Sequence, residues 1–293
     1  MDWENKGEES QNLEDRRRVG GRTMAVGGLG TLVIVVVAYL LGVSPQRISQ
    51  LLSTVQTDQG SGQVAPGQQG PATPEEERSR KFAATILGFT EKVWSQKFSE
   101  AGKQYQPPHM VLFSQQVATG CGNAPSAVGP FYCPEDRTVY LDPTFFDELQ
   151  QRLGGSKGEF SQAYVITHEV GHHVQNLLGY SRLVDEKRQT LSKEEYNRWS
   201  VRLELQADYL AGVWAHYGQE QFHFIEPGDV EGAIQSANAI GDDRLQKRAG
   251  GFVSPEKYTH GTSAQRVKWF SLGLKTGDMR TLKAMFEMPY EQL

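Results

Sequence analysis

The sequence predicts an α+β domain, mainly helical with a small sheet, preceded by one transmembrane helix. Three observations predict it: apolar residues recur at helical spacing beyond residue 75, two β-prone runs flank a turn within 129–142, and residues 24–43 form an uncharged apolar run. A chain of 293 residues with 38% hydrophobic content can bury one substantial core. Its net charge of -5 and pI near 5.9 provide no basic field for displacing counterions from phosphates, so no nucleic-acid partner is expected.

The membrane span is read first. No charged residue occurs between Arg22 and Arg47, and about twenty helical residues at 1.5 Å rise cover the hydrocarbon core. The sequence after Leu41 lacks the small-residue cleavage site of a signal peptide. Arg16, Arg17, Arg18 and Arg22 precede the run and only Arg47 follows closely, so the positive-inside rule puts residues 1–23 in the cytoplasm. The predicted location is a bacterial inner membrane, single-pass, with the catalytic part on the extracytoplasmic side. Residues 44–76 are expected to be a flexible linker, rich in Gln, Gly, Ser, Thr and Pro, and residues 77–293 the folded domain.

Within that domain the apolar spacing of Phe82, Ile86, Phe89, Val93 and Trp94 starts a helix, and further helices are expected at 160–178, 192–217, 229–240 and 263–274. The sequence GPFYCPEDRTVYLD, 129–142, reads as a hairpin around Pro-Glu-Asp-Arg. Its strand is either scaffold or an edge to which an extended peptide adds. Cys121 and Cys133 match no metal-knuckle spacing; they are two buried thiols or one disulfide, and an extracytoplasmic location favours the disulfide.

Chemistry concentrates in His168-Glu169-Val170-Gly171-His172, an HExxH run on the 160–178 helix. Four-residue spacing puts both imidazoles on one face, and Glu169 can lean toward the same cation without binding it, as a base for bound water must. Ala163, Ile166, Val170 and Leu177 supply an apolar stripe elsewhere, so the histidines are not needed for packing. A hydrolytic Zn2+ site needs a third protein ligand. Glu204 is the candidate, on a helix announced by the Ser192/Glu195 capping box and expected to pack through Tyr196, Trp199, Leu203, Leu210 and Trp214. Asp208, one turn on, would accept the second N–H of a ligand histidine.

THEVGHHVQNLLG, SVRLELQADYLAGVW, AIGDDRLQKR and THGTSAQRVKWF together resemble the bacterial family of neutral zinc metallopeptidases, over most of residues 80–275. More loosely the chain is similar to the gluzincins, with HExxH plus ExxxD. The resemblance implies a zincin-like peptidase with metal ligands His168, His172 and Glu204, base Glu169, and Asp208 behind the ligands. The chain departs from the family pattern in Tyr209-Leu210 after Asp208 and in its last stretch, GDMRTLKAMFEMPYEQL.

Several roles stay open at this stage. His260 either stabilises a developing oxyanion or fills a turn before a helix capped by Thr262 or Ser263. Arg266 pairs with Asp208, with substrate, or in an ordinary salt bridge. His173 reads as a structural neighbour, and Asp242-Asp243 as caps of the next helix. The expected activity is zinc-dependent hydrolysis of a peptide or protein substrate; the alternative is a non-catalytic metal-containing module that binds an envelope component, against which the intact Glu169 argues.

Overall fold

The structure, a computed structural model, describes residues 1–18, 71–249 and 253–293. The apolar run at 24–43 and most of the linker lie outside the described residues. Among the described residues no helix is long and apolar enough to cross a membrane.

Helix α1 (Pro74–Glu100) opens on a Thr73/Glu76 capping box and buries Phe82, Ile86, Leu87, Phe89, Val93 and Trp94. Helices α2 (Phe145–Gln151), α3 (Glu159–Leu178), α4 (Tyr180–Arg188), α5 (Lys193–Phe222), α6 (Asp229–Ala239), α7 (Asp242–Arg248), α8 (Ser263–Thr276) and α9 (Thr281–Glu287) follow. The expected Ser192/Glu195 box does start α5. This helix is central: α3, α4, α8 and α9 all pack on it, and it is buried all round from Leu205 to Ala215. The expected packing stripe on α5 is corrected in part. Leu210 and Trp214 are core, but Tyr196, Trp199 and Leu203 are half-buried, Tyr196 and Leu203 lining a cleft, while Val201, Leu205 and Tyr209 take their place. A helix enclosed on every side carries no single apolar stripe for periodicity to find.

Strands β1 (Leu13–Asp15), β2 (His109–Leu112), β5 (Phe131–Cys133) and β6 (Thr138–Leu141) form one sheet in the order β1-β2-β6-β5, and β3 (Gln116–Thr119) pairs with β4 (Gly122–Pro125) in a separate hairpin. Pairing is parallel between β1 and β2 and between β2 and β6, and antiparallel between β5 and β6 as the 129–142 hairpin predicts. Alternation sorts the side chains: Met110, Leu112, Val139 and Leu141 join the main core, whereas Val111, Tyr140 and Cys133 face a smaller cluster with Phe113 and Val117 of the β3–β4 side. A disulfide joins Cys121, in the β3–β4 turn, to Cys133, at the end of edge strand β5.

The amino-terminal segment departs from expectation. Residues 1–18 are part of the domain's fold and not a segment apart from it. β1 is the outer strand of the sheet, in register from Leu13↔Met110 to Asp15↔Leu112. Trp3 is buried with its ring 5.3 Å from that of Phe82. Of the arginines that suggested a cytoplasmic location, Arg22 lies outside the described residues and the other three have carboxylate partners: Arg16 with Glu14 at the surface, Arg17 with Asp15, and Arg18 with Glu76.

Candidate metal centre

Helix α3 ends at Gly179, whose φ of 89° terminates the helix in a left-handed cap. Its Gly171, inside the HExxH run, faces α5: a Cβ there would lie 3.0 Å from the carbonyl oxygen of Ala207. Glycine therefore lets the two helices approach closely just where Glu204 and Asp208 project from α5.

That approach brings three donors together. His168 Nε2 lies 3.3 Å from one Glu204 oxygen, and His172 Nε2 lies 3.6 Å from the other. The donor atoms of the three residues all fall within 4.8 Å of one another. The two imidazoles are nearly perpendicular, with ring centroids 4.8 Å apart. Each histidine spends its Nδ1 elsewhere, so each Nε2 is aimed at the shared point. His168 Nδ1 donates to Asp208 Oδ1 at 2.8 Å, and His172 Nδ1 donates to Gln175 Oε1 at 2.8 Å. The Gln175 amide is oriented because its NH2 donates to the Leu203 carbonyl and to Gln206 Oε1. Two neutral imidazole nitrogens and one carboxylate, on converging helices, are a donor set that fits Zn2+ and leaves a position for water.

Asp208 is fully buried and fully bonded. Besides His168 it accepts from Tyr164 Oη at 2.6 Å, and Arg266 donates to both of its oxygens, Nε at 2.8 Å and Nη2 at 2.9 Å. Burial alone would raise its pKa, but Arg266 and His168 outweigh it and hold the carboxyl at about 2. For Arg266 the geometry selects a buried ion pair with Asp208 over a surface bridge.

Glu169 is buried beside the main chain of Tyr132 on β5, and burial pushes its carboxyl up to about 7. Burial also drives the pKa of His168 down, yet Asp208 and Glu204 carry it up to about 10 in the absence of a cation. His260 lines the same cleft, of about 710 Å³, as His168, Glu169, His172, Glu204 and Arg266. Its Nδ1 donates to Asp242 Oδ1 at 3.1 Å. Of the two carboxylates read as caps of the next helix, Asp243 does accept from the main-chain N–H and the hydroxyl of Ser263, the first residue of α8, while Asp242 serves the turn before it. Asp242 Oδ2 accepts the main-chain N–H groups of Thr259, His260 and Gly261. The cause is tertiary, since the 259–263 turn offers unpaired donors next to both carboxylates. Thr262 caps α8, as one of the two sequence readings has it.

Sequence reasoning missed Gln175, Tyr164 and the tie between Tyr132 and His173. His173 Nε2 donates to the Gln106 carbonyl, so its Nδ1 accepts from Tyr132 Oη at 3.0 Å, and burial keeps the ring neutral with a pKa of about 4. His173 thus fastens the metal helix to the edge strand. Gln175, three residues after His172 on the same face, is the one of these with a signal in spacing.

An α+β domain with two HExxH histidines and a glutamate from a second helix around one point is the class that fold and site define. The family described as "Putative neutral zinc metallopeptidase" matches residues 1–285, and the chain belongs to that family. The chain is 45% identical to the protein YpfJ of Escherichia coli K12 over 287 residues, covering 95% of this chain and 96% of the relative. It is 49% identical to Rv2575 of Mycobacterium tuberculosis H37Rv over 183 residues, covering 59% of this chain and 61% of that one, and Mb2605 of Mycobacterium bovis aligns equally. All three carry the name "Uncharacterized protein". No solved structure matches.

Proposed function

We propose that the protein is a zinc-dependent peptidase in which His168, His172 and Glu204 hold the metal and Glu169 is the general base. The convergence of those three donors beside a buried, ionisable Glu169 carries this reading. A bound zinc ion supplies a Lewis acid for the scissile carbonyl and acidifies a water. Glu169 takes the water's proton and passes it to the leaving amine, a task for which a carboxyl raised toward neutrality is suited. His260, held through Nδ1 by Asp242, keeps its proton more firmly than an ordinary imidazole: burial opposes this, and the charge of Glu204 and the Asp242 bond prevail. It can donate to an oxyanion from the cleft wall.

Strand β5 pairs with β6 alone among the described strands, and Phe131 and Tyr132 line the cleft, so an extended peptide has an open edge to pair with. The disulfide supports work on envelope or secreted peptides outside the reducing cytosol. The test is Glu169→Gln, measured for zinc content and for cleavage of casein with a chelator control. Zinc should stay and cleavage should fall by at least about a hundredfold; retained cleavage in the zinc-loaded variant rejects the role of Glu169.

A further inference from the structure

Strand β5 has three residues, and each of its side chains is fixed in place. Phe131 stacks on Tyr140 with ring centroids 5.1 Å apart, and Cys133 is held by the disulfide, both on the outer face of the sheet. Tyr132 points the other way, toward α3, as strand alternation requires. There its Oη donates to His173 Nδ1 at 3.0 Å and accepts from Asn176 Nδ2 at 3.1 Å. His173 is fully buried and fixed in its turn. Its Nε2 donates to the Gln106 carbonyl at 2.7 Å, and its ring meets those of Tyr132 and Tyr105 edge to face, at 5.4 and 5.8 Å between centroids. Both nitrogens of the histidine that follows His172 are therefore spent on holding Tyr132, and neither is left for a metal.

A side chain locked beneath the strand fixes where the main chain of Tyr132 faces. Its N–H is directed at the Glu169 carboxylate and so does not bond β6, where the residue opposite is Val139. In an antiparallel pair the N–H and C=O of one residue both bond the neighbouring strand or both turn away from it. The Tyr132 carbonyl therefore also lies on the open edge, in the cleft that this residue lines. Two residues before and two after along the chain stand Pro130 and Pro134, and proline has no N–H to give. On its open side β5 can donate one main-chain hydrogen bond to an extended peptide, and that bond comes from Tyr132.

We infer that Tyr132 sets the register of the substrate: the peptide residue opposite it exchanges both main-chain hydrogen bonds with Tyr132, and the lock to His173 and Asn176 positions that bridge beside the metal. The inference rests on the peptidase reading given above. A bound peptide carbonyl takes over the N–H that faces Glu169 when the cleft is empty of substrate. Tyr132 binds through its main chain, and His173 and Asn176 are positioning residues that act through it.

The test measures zinc content, KM and kcat on an extended peptide chosen from a library that the wild type cleaves. Tyr132→Phe removes Oη and keeps the ring. KM should rise about tenfold, the scale of one hydrogen bond, while kcat stays within about threefold and zinc content is unchanged. An unchanged KM overturns the inference, and so does lost zinc, which would make the lock a support of the metal helix alone. His173→Leu should raise KM alike, and His173→Gln, whose amide can still accept from Oη, should recover part of the loss. Tyr132→Phe combined with His173→Leu should be no worse than the worse single variant, because both act through one bond; additive losses overturn the lock. Should His173→Leu fail to fold, Asn176→Ala, which removes the other bond to Oη, takes its place. Methylating the peptide nitrogens one at a time should raise KM most at one position outside the scissile bond, the N–H that meets the Tyr132 carbonyl, and a flat profile overturns the bridge. If the wild type cleaves no peptide, the peptidase reading fails, and hydrogen exchange still reads the lock by itself. Tyr132→Phe should speed exchange across β5 about tenfold and leave the HExxH turn unchanged; unchanged exchange in β5 overturns the lock.

Discussion

Asp208 illustrates how one side chain can serve both stability and chemistry. A carboxylate with no exposure would be costly on its own, yet it accepts from His168, Tyr164 and twice from Arg266. The same bonds fix the tautomer of His168 and so the direction of its Nε2. Asp208→Asn keeps the shape but removes the charge, and is expected to weaken zinc binding by about ten- to a hundredfold, read by competition with a chromogenic chelator. A second consequence follows from His168. Without metal its pKa stands near 10, burial being outweighed by Asp208 and Glu204, so at pH 7 the ring is protonated and a cation must displace that proton. Zinc uptake at pH 7 should therefore release about one proton from this ring, and apparent affinity should rise about tenfold per pH unit until the pH nears that pKa. Calorimetry in buffers of different ionisation enthalpy measures the proton; affinity independent of pH would contradict it.

At the scale of elements, the site is a junction of α3 with α5, and the closeness of that junction rests on Gly171. Adding a methyl places a carbon 3.0 Å from the Ala207 carbonyl oxygen and 3.2 Å from its Cα, backbone atoms that cannot rotate away. Gly171→Ala should push the helices apart, destabilise the domain by about 1–3 kcal/mol and loosen zinc binding together with it. Thermal unfolding with and without added zinc separates the two effects. The edge strand depends on a different tie. The Cys121–Cys133 bridge fastens the β3–β4 hairpin to β5, and a loop this short contributes on the order of 2–3 kcal/mol when closed. Cys121→Ser/Cys133→Ser should lower stability by that amount and raise KM for an extended peptide more than it lowers kcat, since the hairpin supports the strand that lines the cleft.

The elements legible in sequence were those with a long repeated signal. Helices α3, α6 and α8 fall within two residues of the ranges read from periodicity; α5 starts as read and runs on to Phe222, because nothing after residue 217 breaks it until His223 takes a left-handed conformation. The hairpin of β5 and β6 was visible from its β-prone flanks. By contrast, Leu13-Glu14-Asp15 carries no apolar alternation, and becomes a strand only because β2 offers an open edge. Helices α2, α4, α7 and α9 have seven to nine residues, too few for a periodic pattern to stand out.

For the whole molecule, the decisive point is that both ends of the described chain are built into one body. The carboxyl end, where the sequence leaves the family pattern, is held to α5 by Arg202, which donates to the Met285 and Met288 carbonyls, and by buried Leu293. The amino end completes the sheet. Sequence by itself determined the two imidazoles on one helical face, Glu169 between them and the candidate carboxylates of α5, because helical spacing is local and fixes which side chains share a face. It could not determine that Glu204 reaches the same point as His168 and His172, that Asp242 holds the His260 turn, or that residues 1–18 belong with the domain. Those depend on contacts between segments from about 17 to 100 residues apart, whose formation is decided by close helix packing and open strand edges, and no local pattern of residues encodes either.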